Sequence, residues 1–194
     1  MKRLEFFYDL SSPYSYLAAT QIQGLSERTG AVVRWRPMVL GAVFQQSGNT
    51  LPAPAPAKSL YLMKDLLRWA SLYRVPFRFP SRFPSSTVKA LRLCVQAEAC
   101  GRQEALALRL FGAYWSEDAD LTDDATLGRL LTEVGLPAEQ MLQGCADQAV
   151  KDALRAHTDE AVRRGVFGAP TFFVGDEMFW GNDRLHFVEA ALRA

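Results

Sequence analysis

Two short segments far apart in the chain carry residue types suited to holding an anion. Ser11-Ser12-Pro13-Tyr14-Ser15 follows the apolar run Phe6-Phe7-Tyr8-Asp9, and Gly168-Ala169-Pro170-Thr171 leads into Phe172-Phe173-Val174. The first reads as a strand turning directly into a helix, with Ser12 as N-cap and Pro13 at the first helical position. Such a start gathers unpaired backbone N–H groups and the positive end of the helix dipole, where an anion is stabilised. Ser12 adds a hydroxyl that can donate to that anion, a charge-assisted bond contributing about 1.5–3 kcal/mol. For a thiol, whose ordinary pKa is about 8.5, this lowers the pKa by about one to two units. The second segment reads as a Pro-led strand. A cis peptide before Pro170 would direct the Ala169 backbone at the helix start, able to pair with an extended peptide as a strand edge does. Taken singly, each segment also serves a plain structural end, a serine capping a helix and a proline opening a strand.

Those segments need elements that bring them together. Residues 3–8 alternate well enough for a strand, 12–28 carry Leu17, Ile22 and Leu25 at helical spacing, and 31–37 alternate as a second strand. This is a βαβ unit, with parallel strands and a right-handed crossover. A short helical piece at 39–46 precedes Ser47-Gly48-Asn49-Thr50 and the alternation Pro52-Pro54-Pro56, expected to be an extended connector. From about 57 to 165 the periodicity is helical, with helices expected at 58–73, 85–100, 102–116, 123–134, 138–144 and 146–165. Strand character returns at 171–174 and 177–180 around Gly175-Asp176, and a last helix is expected from Asn182-Asp183 onward. The order βαβ, helical block, ββα is that of an α/β, thioredoxin-like fold with an inserted all-helical domain. It divides the chain into a thioredoxin-like domain of residues 1–46 and 166–194, and a connector with the inserted helical domain over 47–165. In such folds the strand-to-helix junction carries Cys-x-x-Cys and faces a cis-proline loop. Here Ser12-Pro13-Tyr14-Ser15 has a hydroxyl in place of each sulfur, so disulfide chemistry is ruled out and any thiol must come from outside.

Composition narrows the function classes. The 194 residues are 49% hydrophobic and 22% charged, ordinary for a soluble domain that needs no staples. A net charge of +1 gives no long-range field for nucleic acid or a membrane surface. No apolar run approaches a membrane span, and Glu5 and Asp9 interrupt what would follow Met1-Lys2-Arg3 in a signal peptide. Cys94, Cys100 and Cys145 have no metal-like spacing, and with only His157 and His186 to join them neither a zinc site nor a disulfide framework is expected. Reduced cytosolic thiols are. A Ser-His-Asp hydrolase built on Ser12, His157 and Asp159 lacks the Gly-x-Ser-x-Gly elbow.

The chain resembles the kappa-class glutathione transferases and the 2-hydroxychromene-2-carboxylate isomerases. The carriers are Phe7-Tyr8-Asp9 with Ser12-Pro13-Tyr14-Ser15-Tyr16-Leu17, Gly41 with Ser47-Gly48-Asn49, Pro56-Ala57-Lys58 with Leu60-Tyr61, Phe167-Gly168-Ala169-Pro170-Thr171, and Trp180-Gly181-Asn182-Asp183-Arg184. The resemblance implies glutathione as cofactor, its sulfur held by the catalytic Ser12, its glycyl end by Asn49 and Lys58, and its cysteinyl part by the Ala169 backbone. It further implies a γ-glutamyl site at Asn182 and Asp183, a small aromatic carboxylate as substrate, and a homodimer. Asn182 stands where kappa transferases usually have Ser, which tilts the expectation toward glutathione-dependent isomerisation of 2-hydroxychromene-2-carboxylate, to trans-o-hydroxybenzylidenepyruvate, or of a related aromatic catabolite. A kappa-type transferase or peroxidase is the alternative, and a redox-inactive binding module a third. Lys58 or Arg36 is a candidate for the substrate carboxylate, and Tyr14, Tyr61, Phe83 and Trp180 for an aromatic pocket.

Overall fold

A computed structural model describes residues 2–49 and 56–194. Strand β1 (Arg3–Tyr8) leads through a tight turn into helix α1 (Pro13–Thr29), which returns to β2 (Val32–Pro37), parallel to β1. Helix α1 ends at Gly30, whose left-handed φ of 67° and N–H bond to the Ser26 carbonyl close the last turn. Strands β3 (Thr171–Val174) and β4 (Glu177–Trp180) complete a mixed sheet of order β2-β1-β3-β4, with β3 antiparallel to both neighbours.

Side chains of β1 alternate between two cores. Leu4, Phe6 and Tyr8 enter the larger one with α1, while Phe7 faces the other side beside Met38, Val43, Ala161 and Phe173. Both faces are covered toward the end of the strand, where Phe6-Phe7-Tyr8 is an unbroken apolar run, while Arg3 at its start is exposed. The second face is covered by α2 (Leu40–Ser47) and α8 (Gln148–Arg163), where Thr158 Oγ1 receives the Val39 N–H at 3.1 Å.

The helical block comprises α3 (Pro56–Tyr73), α4 (Val88–Glu98), α5 (Gln103–Trp115), α6 (Asp124–Glu133) and α7 (Ala138–Gly144), followed by α8. Leu91, Leu106, Phe111, Trp115, Leu127 and Leu130 build its interior, continuous with the core over the sheet. The expected helices at 85–100 and 146–165 are shorter than their periodicity suggested, because Thr87 and Asp147 occupy the N-cap positions of α4 and α8. The proline alternation falls on residues 50–55, outside the described residues, and Pro56 opens α3.

The chain's end departs from expectation in one respect. A 3-10 turn, Asn182–Arg184, precedes the last helix α9 (Leu185–Arg193), so Asn182 lies inside a turn and is not the N-cap of that helix. Gly181 sets this geometry. Its φ of 103° suits glycine, its N–H is held by the Pro170 carbonyl at 3.0 Å, and a Cβ there would stand 2.4 Å from Asp183 Oδ1. None of the helices among the described residues is long and apolar enough to cross a membrane.

Candidate functional site

Ser12 is the N-cap of α1 and only 4% exposed. Its Oγ accepts the Ser15 N–H at 3.1 Å and donates to the Ala169 carbonyl at 3.1 Å. The peptide between Ala169 and Pro170 is cis, as the sequence suggested. The two distant segments therefore meet through one hydroxyl. With Pro13 lacking an N–H, and the Ser15 and Tyr16 amides bonded to Ser12, the Tyr14 amide is the donor the first turn leaves for an anion. Ser15, in place of the second sulfur, is fully buried and its hydroxyl has no hydrogen-bond partner among the described residues.

The approach turn is held from below by Asp9, whose buried Oδ1 accepts the Ser11 N–H at 2.9 Å, while its own carbonyl accepts the Ser12 N–H at 3.0 Å. Sequence reasoning quoted Asp9 as part of a motif without giving it a task. An acidic residue at the end of an otherwise apolar strand was the available signal.

Asn182 and Asp183 come beside this junction through the bond between Gly181 and Pro170. Asn182 is 3% exposed, and its Nδ2 is buried with no hydrogen-bond partner among the described residues. Both residues line a cavity of about 280 Å³ with Gln21, Trp69, Tyr73 and His186. The Tyr73 hydroxyl donates to the Asn182 carbonyl at 3.2 Å, and burial pushes its pKa up. Asp183 is partly exposed and paired with Arg184. The Tyr14 hydroxyl donates to Asp65 Oδ2 at 2.9 Å, tying the first turn of α1 to α3; burial, then this bond, raise its pKa well above the ordinary value.

Asn49 reaches the same strap from the other side, its Nδ2 donating to the Phe167 carbonyl at 2.8 Å. Lys58 stands exposed in the first turn of α3, unlinked to the other five by any hydrogen bond or ion pair among the described residues. Trp180 packs at a tilt on Phe167, ring centroids 5.0 Å apart, and covers Gly168, where a Cβ would meet its Nε1 at 2.5 Å; half of Trp180 remains exposed. It forms an aromatic wall next to Ala169.

Two expectations are corrected. Arg36 is no ligand for a substrate carboxylate: it is 4% exposed, paired with Glu160 and seated over the Phe7 ring on the α8 side of the sheet. Phe83 is partly buried and packs against the core cluster, on Phe79 and Trp115, rather than beside Trp180. His157 sits near Arg36 on the same side. Desolvation, then the charge of Arg36, hold its pKa down to about 4, while Ser12 directs its hydrogen bond to a carbonyl and not to an imidazole. No group of three or more metal-ligating side chains occurs among the described residues.

The family model described as DSBA-like thioredoxin domain matches residues 3–193. A 2-hydroxychromene-2-carboxylate isomerase of Sphingobium xenophagum is 35% identical over 193 residues, covering 98% of each chain. Glutathione S-transferase kappa 1 of Caenorhabditis elegans is 30% identical over 207 residues, covering 100% of this chain and 92% of the relative. A solved 2-hydroxychromene-2-carboxylate isomerase superposes with a TM-score of 0.90 at 30% identity, covering 98% of this chain and 94% of that one. The chain belongs to the DsbA-like thioredoxin family and, within it, to the group of these isomerases and kappa-class transferases.

Proposed function

We propose that this DsbA-like thioredoxin-family chain is a glutathione-dependent isomerase of 2-hydroxychromene-2-carboxylate or a close aromatic relative, working in a reducing cytosol. The observation that carries the reading is the Ser12 hydroxyl, placed at a helix N-terminus and directed at the backbone of Ala169. The residues fit the cofactor. Asn182 Nδ2 is a buried donor that awaits an acceptor such as a carboxylate, and Asp183 beside it suits an ammonium. Isomerase relatives at 33–35% identity, against 30% for a kappa-class transferase, support isomerisation over conjugation.

Glutathione, when bound, supplies a thiolate that adds reversibly to the conjugated carbon of the substrate and is regenerated on elimination. Ser12 has one proton to give. It turns that donor from the Ala169 carbonyl to the sulfur while its lone pair continues to accept from Ser15, so the helix cap survives binding. The Tyr14 amide and the α1 dipole add to the stabilisation of the anion. The Ala169 backbone pairs with the extended cofactor, Asn49 and Lys58 hold its glycyl end, and Trp180 and the half-buried Tyr14 bound the space for an aromatic substrate.

Product analysis of 2-hydroxychromene-2-carboxylate incubated with the protein tests this. The expected result is no turnover without glutathione and full turnover with catalytic amounts. Full activity without thiol would overturn the reading, and stoichiometric consumption of glutathione would replace isomerase by transferase.

A further inference from the structure

Asp9 directly follows β1 with a carboxylate only 3% exposed, and two of its three partners come from elsewhere in the fold. Its Oδ1 accepts the Ser11 N–H at 2.9 Å and the Thr87 hydroxyl at 2.8 Å; its Oδ2 accepts the Leu40 N–H at 2.7 Å. Each partner opens a different element. Ser11 precedes the cap of α1, Leu40 is the first residue of α2, and Thr87 is the N-cap of α4 in the helical block.

Two local rules are broken to make this anchor. Val39, the N-cap of α2, has no side chain able to accept a bond, and the remote Asp9 takes over that task, with the positive end of the α2 dipole facing its charge. Thr87 stands at an N-cap, where a threonine hydroxyl ordinarily accepts from its own helix, yet makes no such bond and donates to Asp9. A second bond from the block follows the same route, Trp115 Nε1 donating to the Leu10 carbonyl at 2.9 Å. The turn leading to Ser12 is thereby bolted to the inserted domain at two consecutive residues.

We propose that Asp9 and Thr87 are positioning residues for Ser12: they transmit the seating of the helical block to the hydroxyl that holds the cofactor sulfur. This rests on the proposed function for its catalytic consequence only. A buried anion so near a thiolate would disfavour it by like-charge repulsion. Three donors and a helix N-terminus screen the Asp9 charge, so its contribution is to geometry. Ser12 must aim within a few tenths of an ångström to share its proton with a sulfur, and a turn hinged at Ser11 without its anchor would miss.

The test uses Thr87→Val, which keeps the shape and removes the hydroxyl, Thr87→Ser, which keeps the hydroxyl, and Asp9→Asn. In the glutathione-free protein, amide hydrogen exchange at Ser11 and Leu40 should quicken at least about tenfold in Thr87→Val and return to the parental rate in Thr87→Ser. With glutathione, turnover by Thr87→Val should drop about tenfold while KM for glutathione stays within about twofold, because the cofactor's other contacts are untouched; Thr87→Ser should recover turnover. Should Thr87→Val not fold, Asp9→Asn carries the same expectations. Unchanged exchange at both amides would overturn the anchor whether or not the protein uses glutathione. Faster exchange with undiminished turnover would overturn the positioning role. A parental protein that binds no glutathione would sink the proposed function instead, with the anchor still judged by exchange.

Discussion

The turn at Ser12 and the turn at Asn182 stand side by side and are built in opposite ways. At the first, the Ser12 hydroxyl both accepts and donates, and Asp9 fills its oxygens with three donors. At the second, Asn182 Nδ2 is buried at a cavity wall with nothing to donate to among the described residues, and Asp183 is half open to water. Where the bonds of Ser12 and Asp9 are all made, the turn is held and sets a geometry, although the neighbouring Ser15 hydroxyl is left without a partner among the described residues. An unsaturated turn holds binding capacity that the fold itself does not use, since a buried donor left unmade costs stability unless a ligand completes it. On the proposed function, the contrast gives orientation of the sulfur to one side and affinity for the peptide cofactor to the other.

The largest expected effect breaks the first side. Ser12→Ala should cut turnover about ten- to a hundredfold, the value of one charge-assisted bond, whereas Ser11→Ala, which alters only the approach turn, should change it much less. Steady-state kinetics on both variants checks the ranking, and the reverse order would place the functional hydroxyl at the wrong serine. Next comes the second side. Asp183→Asn should weaken glutathione binding about ten- to a hundredfold by calorimetric titration while barely moving the melting temperature, since Asp183 lies in the 3-10 turn ahead of the last helix and its exposed pair with Arg184 contributes at most about 1 kcal/mol. Equal affinities in folded protein would reduce Asp183 to a residue of the 3-10 turn.

A smaller effect sharpens the comparison. Asn182→Ala removes a donor that no protein group uses, so stability should hold or rise slightly while glutathione affinity drops about five- to tenfold. His157 Nδ1 is likewise buried without a partner, but on the far side of the sheet near Arg36. Its folded pKa of about 4 lies below the ordinary 6.5, so the unfolded chain binds the extra proton between those values and stability falls as pH drops through that window. The melting temperature should therefore decline from pH 6.5 to 4 more steeply in the parental protein than in His157→Gln, with glutathione affinity at pH 7 the same in both.

What the sequence made legible was local. The pair Ser12-Pro13 announces a helix start, alternation marks the strands, and the run ending in Ala169-Pro170 marks the facing loop, because each signal sits within a few residues. Asp9 and Thr87 are 78 positions apart, and no local rule points a threonine away from its own helix. The 3-10 turn at Asn182–Arg184 escaped for a similar reason: Asn-Asp reads as a helix start, and only the bond between Gly181 and Pro170 shifts the helix to Leu185. Arg36 misled because an arginine in an alternating strand looks solvated, while here α8 supplies Glu160 to cover it.

The central claim is that Ser12 stabilises a thiolate it does not itself carry. Thiolate absorbance of protein-bound glutathione, followed across pH in the parental protein and in Ser12→Ala, measures this directly. The account predicts a bound-thiol pKa about one to two units below the ordinary thiol value of about 8.5 in the parental protein, returning most of the way in the variant. The same pKa in both proteins would contradict it.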